Sequence, residues 1–544
     1  MTKKLIIFLL LSLFHFTRIK AQDVNTVYFM ENVPMRHFLN PAFQPLNDFY
    51  LSLPVIGLTQ IGIGNNSLSF KDVIYKQESQ TLSFLSSTAG INRFYNALNV
   101  NTVLSGDVQT NLLAFGFRHE KVYWTFSITE KLDVMAALPK DIFKLALFGM
   151  QNNVENIFKF STLQADVSLY TEAALGYSRK LDDKKWTVGA KIKYLYGSAN
   201  LSNTNKLFQF QTGVQNWSIQ AQGAVNYSSQ VPVSITNNFQ SLSYTLPTNV
   251  VDWLKPSGMG AGIDIGAEYK FDENLDLSAS LTDLGFIVWY NNLQNINYNA
   301  NFTFDGLVHI NNSSTAQSLQ DEYARLTTGN TLVDSLTKAL KSSANLNSSS
   351  NVYTTGTTAK LNLGAEYKIL ENKLGFGLLS HSRFVKQTVS EELTLSVNSR
   401  PYNWLNASLS TSFFNGRFGS VGLGLGLKAG CIHWFFAADY LAFQKKTFPL
   451  SGLSISSISV PYNTSYCNFS TGINLVFNDK EHEIKDKKID DAARLGLRNR
   501  KQEIPAIPSF NIPAPADKSS RKSVKRTDGL HRKTKKESCN CDWN

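Results

Sequence analysis

The sequence predicts an all-β protein, an antiparallel β-barrel that crosses a membrane with its strands, and three observations carry that prediction. A hairpin phrase recurs with strict alternation of apolar and polar residues. An export-type segment opens the chain, and no later run is long and apolar enough for a membrane helix. Turns of a few residues contrast with long polar connections.

The phrase is Gly266-Ala267-Glu268-Tyr269-Lys270, written again as Gly364-Ala365-Glu366-Tyr367-Lys368, with a looser copy at Leu175-Gly176-Tyr177-Ser178-Arg179. Each is followed by a short charged turn, Asp272-Glu273-Asn274, Glu371-Asn372-Lys373 and Asp182-Asp183-Lys184-Lys185 respectively, and by a second alternating run, which makes each a hairpin. Successive side chains of a strand point to opposite faces. Ile263, Ile265, Ala267, Tyr269 and Phe271 therefore share one face and Asp264, Gly266, Glu268 and Lys270 the other. Leu361, Leu363, Ala365, Tyr367 and Ile369 stand in the same way against Asn362, Gly364, Glu366 and Lys368. A water-soluble sheet with one buried face gives this pattern, and so does a barrel with lipid outside and a polar lumen. The rest of the chain decides between them.

The N-terminus carries Lys3 and Lys4, an apolar run from Leu5 to Phe16, and Ile19-Lys20-Ala21 before Gln22. That run is too short to span a bilayer and reads as a signal peptide over 1–21, cleaved after Ala21. A helical membrane protein is excluded, whereas a barrel is not, because its strands carry only half the hydrophobicity per segment. The net charge of +11 over 544 residues invites a nucleic-acid reading until it is divided. The signal segment holds four basic residues and no acids. Residues 479–544 hold 17 Lys/Arg against 11 Asp/Glu, which leaves +1 for everything between. The basic character belongs to a tail, and nucleic acid is not an expected partner of an exported chain. Of four cysteines, Cys431 and Cys467 fall in strand-like runs and Cys539 and Cys541 in the last six residues, with no disulfide framework implied.

In chain order, residues 22–48 lack strand periodicity and contain Asn40-Pro41-Ala42-Phe43, a segment suited to lie inside a barrel. Strands begin near Phe49, and Ile91 to Leu98 reads as a short helix. Val108 to Arg118 turns at His119-Glu120 into Val122 to Leu132. Pro139 to Phe160 is a helical insertion, with Asp141 as its cap and Ile142, Leu145 and Phe148 at helical spacing. In the return strand of the first hairpin, Trp186, Val188, Ala190, Ile192, Tyr194 and Tyr196 oppose Thr187, Gly189, Lys191 and Lys193, and lysines interleaved with that much hydrocarbon suit a polar lumen. Two Asn-, Gln- and Ser-rich stretches, 200–257 and 291–355, read as long connections, the second with a helix around Thr331 to Lys341. The last third alternates most regularly, through a glycine ladder at Gly422, Gly424 and Gly426, to a final strand from Phe469 to Phe477. Beyond it, 479–544 has the charge clusters and prolines of a disordered tail.

The glycine runs lack nucleotide-loop spacing and continue into alternation, so they read as strand glycines facing a crowded lumen. The histidines show no ligand spacing and no nucleophile elbow occurs, so neither an enzyme nor a metal or other cofactor is expected. The lumen-lining candidates are Glu172, Glu268, Lys270, Glu366, Lys368, Lys191 and Lys193. They either tune what passes or fill the interior as an ion-pair ladder.

With Ala21-Gln22, Asn40-Pro41-Ala42-Phe43, Tyr170-Thr171-Glu172, Gly266-Ala267-Glu268-Tyr269 and Leu363-Gly364-Ala365-Glu366-Tyr367 in view, the chain resembles an uncharacterised family of Bacteroidota outer-membrane β-barrels. That family is similar in appearance to the long-chain fatty-acid transporter superfamily and to PorV-type barrels, and the likeness spans roughly residues 25–478. The resemblance implies a plug bearing Asn40, Pro41, Ala42 and Phe43, although the glycine- and alanine-rich run that precedes this element in the superfamily is missing. It also implies about 14 strands (12–16) over 49–478; the short helical insertions are read from the residues, and an even strand number places both termini in the periplasm. A small hydrophobic ligand bound or passed, with outer-membrane lipid around the barrel, is the function it implies. The alternative is a non-transport scaffold for secretion or envelope assembly, whose basic tail holds a periplasmic or cell-wall partner.

Overall fold

In the computed structural model, an antiparallel sheet of 14 strands closes on itself as a barrel. The structure describes residues 25–479 apart from 78–79, 151–154, 184, 214–215, 237–240, 245–248, 250–254, 305–343, 386–387, 415–416, 440–444, 450–456 and 462–465. The signal peptide expected over 1–21, the helix expected around Thr331 to Lys341, and the residues beyond 479 with Cys539 and Cys541 lie outside the described residues.

The barrel strands are β1 (Asn47–Ser52, resumed at Thr59–Asn65), β2 (Asn101–His119), β3 (Val122–Pro139), β4 (Gln164–Lys180), β5 (Trp186–Thr212), β6 (Gly258–Lys270) and β7 (Leu275–Trp289). They continue as β8 (Ala359–Ile369), β9 (Leu374–Val385), β10 (Thr388–Tyr402), β11 (Leu405–Phe414), β12 (Arg417–Ala429), β13 (Ile432–Ala438) and β14 (Tyr466–Asp479). Each pairs with its neighbours in sequence. The ring closes where Thr59 to Gly64 of β1 run antiparallel to Thr471 to Tyr466 of β14. Pro54 cannot donate to a ladder, and β1 is broken around it, with Val55 at φ 65°.

The polarity of the wall is the reverse of a water-soluble sheet. Ile192, Leu409 and Ile265 are 64%, 52% and 50% exposed, while Glu172, Lys193 and Asn398 on the opposite parity are 2%, 7% and 0% exposed. Apolar residues face out and polar residues face in along every strand of the predicted phrase, which decides between the two readings that alternation left open. At one end the turns are short, with Glu120 and Gly430 at φ 54° and 59°. Exposed aromatics gather on the outer wall beside them, pairing as Trp124 with Tyr177, Trp186 with Tyr269 and Tyr402 with Trp404 at centroid distances of 5.0, 4.4 and 5.7 Å.

The other end differs from expectation in three respects. The stretches 200–257 and 291–355, read as polar connections, contain strands. Beyond Gly197 the neighbour of β5 changes from β6 to Trp217–Ser229, which pairs onward with Gln294–Phe304 and then Ala344–Ser349. Polar residues lie on both faces there, so no apolar period marks the sheet in the sequence. Second, β2 and β3 begin and end well beyond the alternating cores that announced them. Third, the insertion after β3 is a helix only over Lys140–Phe148, with Pro139 rather than Asp141 at its cap position. The Asp141 Oδ2 instead accepts the Lys159 amide at 2.8 Å. The earlier helix spans Thr88–Ala97, capped by Ser87. No helix among the described residues is long and apolar enough to cross a membrane.

Candidate functional site

The lumen is occupied by the chain's own N-terminal segment. From Asn25 to Gln44 the backbone makes two 3-10 turns, Asn25–Val27 and Pro34–Phe38, the second begun by a proline whose missing N–H costs nothing in a first turn. Asn40, Ala42 and Phe43 are buried, as are Val27, Tyr28, Phe29, Met30 and Met35. The Asn40 side chain folds the segment and attaches it in one step. Its Oδ1 accepts the Ala42 amide at 2.9 Å, an Asx turn, and its Nδ2 donates to the carbonyls of Ala267 on β6 and Ala279 on β7 at 3.3 Å. From the wall, Ser280 and Asn362 donate to the Leu39 carbonyl at 2.7 and 3.0 Å.

The glycines of the repeated phrase explain how the segment fits. A Cβ on Gly266 would overlap Asn40, one on Gly189 would overlap the Pro41 carbonyl, and one on Gly364 would stand 2.7 Å from the Tyr28 ring. In the ladder of β12, Gly422 and Gly424 lie against Thr26 and Met30. These glycines mark close approach of another backbone or side chain, as strand glycines often do.

Charged contacts hold the plug at the short-turn end. Glu31 pairs with Lys368 and, at 3.8 Å, with Arg400. Lys368 also reaches Asp276 at 2.6 Å. Arg400 pairs with Glu366 at 2.5 Å and donates to the Phe29 carbonyl at 2.7 Å. Burial works to raise the Glu31 pKa, but Arg400 and Lys368 outweigh it and hold the carboxyl well below its usual range. Arg36 donates to the Tyr28 carbonyl at 2.8 Å and stacks over Phe43 at 4.2 Å. His37 sits between the Tyr50 hydroxyl, 2.6 Å from Nε2, and Lys191, whose Nζ donates to Nδ1 at 2.8 Å. With Nδ1 accepting, the ring proton is on Nε2. Burial first, and the Lys191 charge second, push the His37 pKa well below its usual value.

Above the plug lies a second layer of charge. Lys131 pairs with Glu172 at 2.9 Å and Asp283 at 2.8 Å. Lys193 pairs with Asp264 at 2.8 Å, Asp283 at 2.6 Å and Glu172 at 3.3 Å, and Lys360 approaches Asp283 at 3.7 Å. Three ammonium groups face three carboxylates, which balances the charge of the cluster. Higher still, a space is lined by Val103, Met135, Tyr170 and Ile287 together with hydroxyls, Asp133 and Arg383. No group of acidic, His or Cys residues among the described residues is arranged to hold a metal ion.

Of the lumen-lining candidates, Glu172, Lys191, Lys193, Glu366 and Lys368 are buried in the interior, Glu268 is half-buried on the same face, and Lys270 is exposed at the short-turn rim. The structure divides them into two groups, Glu366 and Lys368 on the plug and Glu172 and Lys193 above it, with Lys191 joined to His37. Sequence reasoning missed Glu31, Lys131, Asp283, Lys360 and Arg400. Three of these had a signal. Lys131 continues the polar face of Thr125, Ser127 and Thr129, Arg400 that of Ser396 and Asn398, and Lys360 that of Asn362, Gly364 and Glu366. Asp283 had none, because the β6–β7 register shifts between Ile263 and Ile265 and brings it inward out of phase.

Residues 41–439 match the family described as "Family of unknown function (DUF5723)". Among solved structures, a TodX deltaS2S3 mutant monoaromatic hydrocarbon channel is 8% identical at a TM-score of 0.36, with 82% of this chain and 94% of that one covered. The P. putida toluene transporter TodX is 9% identical at 0.33, covering 81% and 93%. A Pseudomonas aeruginosa FadL homologue is 10% identical at 0.33, covering 85% and 100%. No curated protein matches the chain.

Proposed function

We propose, from the premise that the chain belongs to the DUF5723 family of unknown function, that it is an outer-membrane barrel. It binds a small, largely hydrophobic molecule in the lumen and passes it when the plug moves. The observation that carries the reading is the stacking of a partly apolar space, lined by Val103, Met135, Tyr170 and Ile287, over a plug seated by hydrogen bonds and ion pairs. The plug is joined to the wall by side-chain contacts and not by strand pairing, so the segment can leave its seat without breaking the ladders of the wall. The apolar exterior and the aromatic rim support a lipid surround, with the short turns and both termini in the periplasm.

Uptake of a lipophilic tracer into proteoliposomes tests the reading, with the full chain and with residues 35–45 deleted. Uptake is expected to rise on deletion. No uptake and no tracer binding in either form sinks the proposal. On gels, unboiled protein should migrate apart from boiled protein.

The sheet that continues past the barrel through Trp217–Ser229 and Gln294–Phe304 favours a second reading, a scaffold that holds a partner at its long-connection end or through the basic tail. Crosslinked pull-down from envelopes separates the two, because a transporter alone returns no stoichiometric partner. No catalytic step is proposed.

A further inference from the structure

We infer that the lumen carries a second closure, separate from the plug: a neck at Asp283 that divides the outer cavity from an inner chamber resting on the plug. The inference rests on reading the lumen as the ligand's route.

Three spaces descend the barrel and share their walls. The outer one meets a smaller middle one at Asp133, Tyr170 and Thr358. The middle one meets an inner chamber at Gln109, Lys131, Asp283 and Lys360. The inner chamber has an apolar floor made by the plug residues Val27, Met35, Phe38 and Leu39. Both boundaries of the middle space are polar, and the lower one is the charged cluster itself.

Asp283 occupies that boundary because of a local irregularity in the wall. The β6–β7 ladder shifts between Ile263 and Ile265, so Thr282 and Asp283 together oppose Asp264. The extra residue adopts φ 59°, a conformation that an aspartate tolerates only at some cost. Its backbone is held on two sides. The amide donates to Asp264 Oδ1 at 2.7 Å, and the carbonyl accepts the Thr357 hydroxyl at 2.6 Å. The carboxylate then reaches Lys131 on β3, Lys193 on β5 and Lys360 on β8. One side chain thus ties three other strands across the lumen between the outer space and the inner chamber. Parting it exposes desolvated charge.

The test measures thiol labelling of full-length protein in which Cys431, Cys467, Cys539 and Cys541 are serine. Ser105→Cys reports the outer cavity and Leu39→Cys the inner chamber, both probed with a small water-soluble methanethiosulfonate. The expected result is fast labelling at Ser105→Cys and labelling about tenfold slower at Leu39→Cys, because the inner site waits for local opening. Adding Lys131→Ala with Asp283→Ala removes one charge of each sign. It should raise the Leu39→Cys rate about tenfold while leaving Ser105→Cys unchanged. Equal Leu39→Cys rates with and without the neck changes overturn the inference, and so does an unlabelled Ser105→Cys, since no outer cavity would then be open. Heat-modifiable migration checks folding. Should the double variant fail that check, Asp283→Asn keeps the shape and must still speed Leu39→Cys labelling. Tracer binding on the same samples judges the ligand reading separately: its loss sinks the route, whereas the labelling ratio judges the neck.

Discussion

If lipid surrounds the wall, an arginine on the outer face should cost stability according to its depth, and the strand register fixes that depth. Trp186 pairs with Tyr269 at the aromatic rim, Val188 with Ala267, and Ile192 with Ile263. At a rise of about 3.3 Å per residue and a tilt near 40°, Ala267 lies about 5 Å and Ile192 about 15 Å from that rim. The apolar band of such barrels is about 25 Å tall, so Ile192 is close to its middle and Ala267 near its edge. Ile192→Arg should therefore lose about 2–4 kcal/mol of folding free energy, and Ala267→Arg about 0–1 kcal/mol. Denaturant titrations of folding into lipid vesicles, followed by tryptophan fluorescence, measure both. Equal losses at the two positions, or a larger one at Ala267, would refute the placement of this face in hydrocarbon.

Two further outcomes concern the plug. Asn40→Ala removes the Asx bond and both wall bonds, and should weaken seating by about 1–3 kcal/mol. It should appear as faster amide exchange over residues 25–46 with unchanged exchange in the strands. Acidification should weaken seating too. His37 has a pKa depressed in place, so the stability it contributes is present above its ordinary value of about 6.5. That stability falls away as pH drops through that value toward the depressed one. Glu31 acts with the same sign at lower pH, since its depressed carboxyl contributes only while ionised. Proteolysis of the plug at pH 7.5 and pH 5 reads the effect, and greater protection at pH 5 would contradict the assignment.

The barrel was legible because its signal is periodic and the fold obeys the period. Ile263 to Lys270 and Leu361 to Lys368 sort to the two faces that the alternation assigned, and Asn40 hydrogen-bonds to the inner wall at Ala267 and Ala279. Legibility failed where structure depends on partners distant in sequence. The strands at Trp217–Ser229 and Gln294–Phe304 are specified by backbone pairing with β5 and with each other, and polar residues on both faces left no period to read. Lys131, Glu31 and Arg400 were visible as charges, but nothing local says that Glu31 meets a residue 369 positions away.

The phrase Gly-Ala-Glu-Tyr-Lys joins the legible and illegible parts. Its alternate residues have separate tasks: Ala267 and Tyr269 belong to the outer wall, while Gly266 is the gap into which Asn40 fits. In the second copy Gly364 accommodates Tyr28, and Glu366 and Lys368 hold Arg400 and Glu31. A duplicated hairpin built only as wall would need no glycine at this position, and a bulkier residue would fill an empty lumen better. The small residue of each copy is therefore explained by the plug, which touches Gly266 and Gly364, and in the second copy the charge is too, since Lys368 pairs with Glu31. The same logic accounts for Gly189 beside Pro41 and Gly424 beside Met30. Replacing Gly266 with valine should consequently unseat the plug while the hairpin still forms, since β-branched residues suit strands and the outward face is untouched.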